Sequence, residues 1–208
     1  VSEIGVAFVT FGSVLLRTLA VMSPILLLPL AVLAFPRRLG PLGNGLSAGI
    51  DRVSGWAGSL AMAACVVLVV LQVLVIVLRY VFGLSYPALG EGLIWLFALI
   101  FMLGAAMALR DDAHVRVDIL REGMSAKGRA GVDLAGVMMF LYPVCILILL
   151  SVRPSLTRSW ERLEASREAG GLPVYFLFKT LIPVFALLLL AQGLSVALKA
   201  ARTLREPY

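Results

Sequence analysis

A histidine with carboxylates around it is the first place to look for chemistry, and this chain has such a stretch in Asp111, Asp112, His114, Arg116 and Asp118. These residue types could ligate a metal or share a proton as a general acid/base pair. The group follows an apolar run closed by Arg110, however, so it falls in a charged loop, where a solvated, ion-paired turn is the favoured reading. Arg79 and Glu91 form a second candidate: each ends or opens an apolar run, and the short loop between them can bring both to one membrane face to pair. Anchoring at the interface by Arg79, Tyr80 and Phe82 is the simpler reading of that segment. Gln72 and Gln192 are the main deep polar residues, placed for hydrogen bonds between helices rather than for a ligand. One His and two Cys leave no bis-histidine haem, four-cysteine iron–sulfur cluster or tetrahedral zinc site. Cys65 and Cys145 lie inside apolar runs and read as small hydrophobes. No cofactor is expected.

The elements that must position these residues follow from composition. The 208 residues are 61% hydrophobic and 14% charged, against about 45–50% and about 25% in soluble domains, and mean hydropathy is +1.02. A soluble fold of this length cannot hide so much apolar surface, so lipid must be the solvent for most of the chain. Charge spacing marks five candidate helices: Thr18 to Phe35, Val53 to Leu78, Gly92 to Leu109, Leu134 to Val152 and Thr180 to Leu198. The runs are long and rich in Leu, Ala and Val, without the alternation of a membrane barrel. The fold class is therefore all-α: a polytopic helical integral membrane protein with four core transmembrane helices, an extra N-terminal membrane helix and an amphipathic interfacial helix. Arg17, Pro24 and Pro29 weaken the first run, for which a spanning helix is favoured over one lying in the interface. The opening Val1-Ser2-Glu3 lacks the basic start of a signal peptide. Residues 1–50 read as the N-terminal helix and linker, 51–200 as the four-helix unit and 201–208 as a tail.

The basic residues orient the bundle. Arg37, Arg38, Arg52, Arg110, Arg116, Arg121, Lys127, Arg129, Lys199, Arg202 and Arg205 fall on one side, and Arg79, Arg153, Arg158, Arg162 and Arg167 on the other. The positive-inside rule makes the first side, with the C-terminus, cytoplasmic. The net charge of +6 suits anionic lipid headgroups, not nucleic acid, because the basic residues sit between apolar runs. Arg153 to Glu168 places Leu156, Trp160 and Leu163 at i, i+4, i+7, the pattern of an amphipathic helix along the membrane face, with Trp160 as an anchor at headgroup level. Gly170-Gly171-Leu172-Pro173 then starts the return into the bilayer. Pro143 and Pro183 read as interruptions near the starts of their helices. Gly104 and Ala108, four apart, mark a small-residue face for close helix approach. There is no internal repeat and no matched pair of broken helices, which argues against a self-sufficient carrier.

In order along the chain, Leu78-Arg79-Tyr80-Val81-Phe82-Gly83, then Glu91, then Leu103-Gly104-Ala105-Ala106-Met107-Ala108-Leu109-Arg110, then His114-Val115-Arg116-Val117-Asp118 resemble the small permease (Q) subunit of the tripartite ATP-independent periplasmic (TRAP) transporters. The resemblance covers about residues 52 to 200. It departs from the family pattern at Leu89-Gly90-Glu91-Gly92, where a Trp and paired acidic residues are common. The segment from Ser159-Trp160-Glu161 to Gly170-Gly171-Leu172-Pro173, with Lys179 and Ile182-Pro183, is similar to a longer branch linked with 2-oxo acids and related organic acids. The resemblance implies a scaffold beside a large permease (M) subunit that carries the sodium and substrate sites, fed by a periplasmic substrate-binding protein, in a bacterial or archaeal inner membrane. It implies no catalysis, and it makes Arg79, Tyr80, Glu91, Gly104, Ala108, Arg110, His114 and Asp118 contacts of the fold or the subunit interface, not substrate ligands.

A membrane anchor of a respiratory or quinone-linked enzyme is the alternative from another class. It would need intramembrane haem ligands or a polar quinone pocket, and His114 at a helix edge supplies neither. A stand-alone channel would need a polar pore face along a helix.

Overall fold

A computed structural model describes residues 27–34, 36–113 and 123–205, without the side chains of 36–40. The helices are α1 (Leu28–Ala34), α2 (Pro36–Tyr80), α3 (Pro87–Arg110), α4 (Ala126–Gly136), α5 (Tyr142–Glu161) and α6 (Tyr175–Thr203), with one π-helical turn, Val137–Leu141, joining α4 to α5. Among the described residues four stretches are long and apolar enough to cross a bilayer: Pro41–Tyr80, Pro87–Arg110, Ala126–Glu161 and Tyr175–Thr203. The all-α polytopic fold is thus present, with no strand among the described residues.

Several boundaries differ from the sequence expectation. Residues 36–50, expected to include a linker, are helical and continuous with the next span, which makes α2 45 residues long. At 1.5 Å per residue that is about 68 Å, roughly twice the hydrocarbon thickness, so α2 projects well beyond the bilayer. The first candidate span lies largely outside the described residues; its described end is the short α1, which packs on the last turns of α6.

The expected separate helix over Arg153 to Glu168 is not formed. Residues 153–161 continue α5 without a break, and the helix ends at Glu161. The i, i+4, i+7 spacing reports which face of a helix is apolar, not where its axis turns. Leu163, assigned to that apolar stripe, instead has φ +44° in the turn after the helix.

Pro143 is the second residue of α5, near its start as expected, but α4 and the π turn run into that helix without a break. A proline there removes one backbone donor and crowds the carbonyl four residues earlier. The chain accommodates it by widening: Tyr142 N–H bonds to Val137 O, an i to i−5 step. Pro183 lies inside α6, past its first two turns.

The helix ends follow from local chemistry. Gly83, at φ +69°, turns the chain out of α2, and Leu84 N–H reaches back to Leu78 O at 2.9 Å. Pro87 then occupies the first position of α3, where its missing N–H costs nothing. Ser125 caps α4 by accepting a hydrogen bond from Gly128 N–H at 3.1 Å.

α6 is the centre of the bundle. It buries Ala186, Leu190, Gln192, Gly193, Leu194, Ser195, Ala197, Leu198, Ala200 and Ala201 and touches each of the other helices. Lipid tails are as apolar as leucine, so helices in a bilayer associate through close packing and polar contacts rather than through hydrophobicity. The small residues of α6 permit that approach: a Cβ on Gly193 would stand 2.5 Å from Leu141 Cδ2 in the π turn.

Between α2 and α3 the close approach is at Gly58, where a Cβ would collide with the Met107 side chain. The expected small-residue contact at Gly104 is not used within this chain, since a Cβ there would meet nothing within 4 Å. Ala108 is half-buried, and the fully buried member of that helix segment is Ala106. The outer half of α2 leaves Val66, Val67, Val70, Val73 and Val77 exposed.

Candidate functional site: polar clasps at the two ends of the bundle

The up-and-down order brings residue 51 of α2, the end of α3 and the end of α6 to one end of the bundle. There Asp51 accepts three hydrogen bonds from α6: Gln192 Nε2 at 3.0 Å and Ser195 Oγ at 2.7 Å on one oxygen, and Lys199 Nζ at 2.6 Å on the other. Ser54 Oγ in turn donates to Gln192 Oε1 at 2.6 Å, and Arg202 Nη2 donates to Ser47 Oγ at 3.2 Å.

Gln192 is fully buried, and its amide bridges Ser54 and Asp51. The sequence reading of Gln192 as a link between helices therefore has its geometry here. Gln72, paired with it in that reading, lies instead on the exposed side of α2.

Arg110 adds α3 to this end. Its guanidinium grips the Asp111 carboxylate with two hydrogen bonds, at 2.6 and 3.0 Å, and donates from Nη1 to Asp51 O at 3.2 Å. The hydrogen bond from Arg110 holds the Asp111 carboxyl below its ordinary range. His114 and Asp118 lie outside the described residues.

At the opposite end, the loop between α5 and α6 joins the helix contacts. Glu91, in the first turns of α3, accepts from Ser166 Oγ and, at 2.7 Å, from Leu172 N–H. It does not pair with Arg79, the less favoured reading of that hairpin; loop donors engage the carboxylate instead. Arg79 is exposed, as is Tyr80 at 81%.

Beside Glu91, Glu164 accepts from Lys179 Nζ at 2.5 Å and from the buried Ser159 Oγ at 2.7 Å. These hydrogen bonds, that of Lys179 foremost, hold the Glu164 carboxyl below its usual value. Trp160 Nε1 donates to Thr180 Oγ1 at 3.0 Å, and its ring meets Phe176 edge-on at 4.8 Å. Trp95 stacks on Phe178 at 5.2 Å, so the first turns of α6 are held from both α5 and α3.

Sequence reasoning missed Asp51, Ser195 and Lys199 on one side and Glu164, Ser166 and Lys179 on the other as site residues. A signal for the first set was present. Ser47, Asp51 and Ser54 are spaced i, i+4, i+7, and Gln192, Ser195, Lys199 and Arg202 are spaced i, i+3, i+7, i+10, so each set forms a polar stripe on one helix face.

These clasps tie α2, α3, α5 and α6 together at the two ends of the bundle. Residues 65–203 match the family model for the DctQ component of tripartite ATP-independent periplasmic transporters. No curated protein and no solved structure matched the chain.

Proposed function

Because the chain belongs to the DctQ family, as a small multi-pass membrane subunit of a TRAP transporter, we propose that it is the fixed scaffold for the large permease (M) subunit during sodium-coupled, binding-protein-dependent uptake of an organic acid. The family is a transporter component, not an enzyme family. The observation that carries the scaffold reading is the contrast between pinned and open surfaces. Both ends of α6 are fastened by hydrogen-bonded carboxylates, Glu164 on Lys179 and Asp51 on Lys199, whereas α2 exposes most of its apolar face and the polar Gln72.

An exposed amide in a membrane span favours a protein neighbour over lipid, because lipid offers it no hydrogen bond. The α2 face is accordingly the surface offered to M, carried to the helix end by Tyr80 and bordered by Arg79. Gly104 and Ala108 supply small-residue surface toward the same partner. Glu91 and Arg110 are fold-fixing contacts. Sodium and substrate belong to M, and the binding protein reaches this chain through the complex. The distribution of Lys and Arg supports a cytoplasmic C-terminus.

The test is to tag the C-terminus, solubilise native membranes in mild detergent and identify the proteins recovered. A stoichiometric large polytopic partner without haem is expected. Recovery with a flavoprotein or haem-bearing subunit would overturn the assignment in favour of a respiratory anchor. In the same assay Arg79→Ala should reduce recovery of the partner or uptake by the complex, and normal values of both would make Arg79 an ordinary membrane anchor.

A further inference from the structure

The hairpin between α2 and α3 holds an open cleft of about 300 Å³, whose lining includes Val75, Leu78, Arg79, Tyr86, Ile94 and Glu168. Its polarity is graded along the bilayer normal. Val75 and Leu78 precede Arg79 in α2 and Ile94 follows Glu91 in α3, so the apolar walls lie toward the membrane centre and the charged groups at the mouth. Arg79 and Glu168 are both exposed, and neither side chain has a hydrogen-bond or ion-pair partner among the described residues, each other included. Glu91 also lines the cleft, but its carboxylate is engaged by Ser166 and Leu172.

An apolar floor beneath one guanidinium and one carboxylate is complementary to a lipid whose headgroup carries both signs. We propose that this cleft binds a zwitterionic aminophospholipid, with the phosphate on Arg79, the primary ammonium of an ethanolamine headgroup on Glu168, and acyl carbons against Val75, Leu78 and Ile94. Guanidinium–phosphate contacts are strong, charge-assisted hydrogen bonds. A primary ammonium offers three donors to a carboxylate, whereas a choline headgroup offers none and a glycerol headgroup brings no positive charge. The proposal rests on membrane embedding and not on assembly with M, so it stands or falls separately from the scaffold reading.

The test is native mass spectrometry of the purified full chain released from vesicles of equimolar phosphatidylethanolamine, phosphatidylcholine and phosphatidylglycerol. The wild type should retain the ethanolamine lipid about tenfold over the other two, the ratio that one charge-assisted hydrogen bond gives. Glu168→Gln should bring the ethanolamine-to-choline ratio close to one while total phospholipid is kept. Arg79→Gln should lower retention of all three lipids about tenfold. If Arg79→Gln fails to fold by circular dichroism, Glu168→Gln decides alone, since its carboxylate makes no contact that the fold needs. Equal retention of the three headgroups by the wild type would overturn the proposal. So would unchanged lipid retention in Arg79→Gln.

Discussion

At one end of the bundle a single carboxylate, Asp51, gathers donors from three residues of α6; at the other, Glu91 and Glu164 divide the work of fastening the loop between α5 and α6. The first network joins side chains across two spans and reaches a third through Arg110. The second takes a main-chain donor from Leu172 and short-range donors from the residues around it. Removing the acceptor should therefore have different consequences at the two ends. At the Asp51 end it loosens the packing of whole helices, and at the Glu91 end it frees a connecting segment while the spans stay in place.

The largest effect is expected from Asp51→Leu. It leaves the buried Gln192 amide donor without an acceptor, Ser195 with only a long 3.5 Å bond to Ser47 O, and Lys199 without its counter-ion, a loss of about 2–3 kcal/mol, short of the fully buried limit because the Asp51 side chain is 26% exposed. A steep fall in the thermal midpoint of the detergent-solubilised chain would show it. Asp51→Leu combined with Lys199→Leu should recover part of the loss, because the stranded cation is then gone. An unchanged midpoint in the single variant would reduce the network to surface decoration.

Glu91→Ala comes next. It should cost about 1–2 kcal/mol by leaving Ser166 and the Leu172 N–H without their acceptor. Hydrogen exchange should accelerate roughly 5-fold to 30-fold over residues 164–173, with little change in α2 or α6. Acceleration spread over all the spans would erase the distinction between the two ends.

Acid sharpens the same comparison through Glu164. Its carboxyl is held low by Lys179 and Ser159, so its contribution is present above its ordinary pKa and is lost as pH falls through the depressed folded value. Below about pH 4.5, exchange at the Phe176 N–H, which is bonded to Glu164 O, should begin to rise. Glu164→Gln should remove that acid-dependent rise.

How much of this was legible in the sequence follows from the range of each interaction. The spans were legible because charge spacing along the chain is local information, and the four strong apolar runs each became part of a helix. The Asp51 network was half legible. The polar stripes on α2 and α6 are periodic, but their meeting across 141 residues, as between Asp51 and Gln192, is set by which helix packs on which. The Arg79–Glu91 pairing, the less favoured reading of that hairpin, is not made for the converse reason: closeness in sequence suggests a partner, but a loop more than 70 residues away supplies the donors, with Ser166 75 residues from Glu91. The segment from Arg153 was legible as helix yet not as a continuation of α5, because amphipathic periodicity is the same whether an axis bends or runs on.

Trp160 provides the smallest test and the finest one. An anchor whose role is to sit among headgroups depends on its amphipathic ring as a whole, whereas the structure gives Trp160 a defined hydrogen bond to Thr180 and an edge-on contact with Phe176. Trp160→Phe keeps an aromatic ring for Phe176 and removes only the N–H donor, while the Thr180 hydroxyl still bonds to Phe176 O. The loss should therefore be about 0.5–1 kcal/mol, the net value of one partly exposed hydrogen bond. Thr180→Val should lower the thermal midpoint by a similar amount, and the two substitutions together should cost no more than the larger of them, because they remove the same bond. Fully additive losses would mean that the hydrogen bond contributes nothing and that Trp160 serves the membrane surface alone.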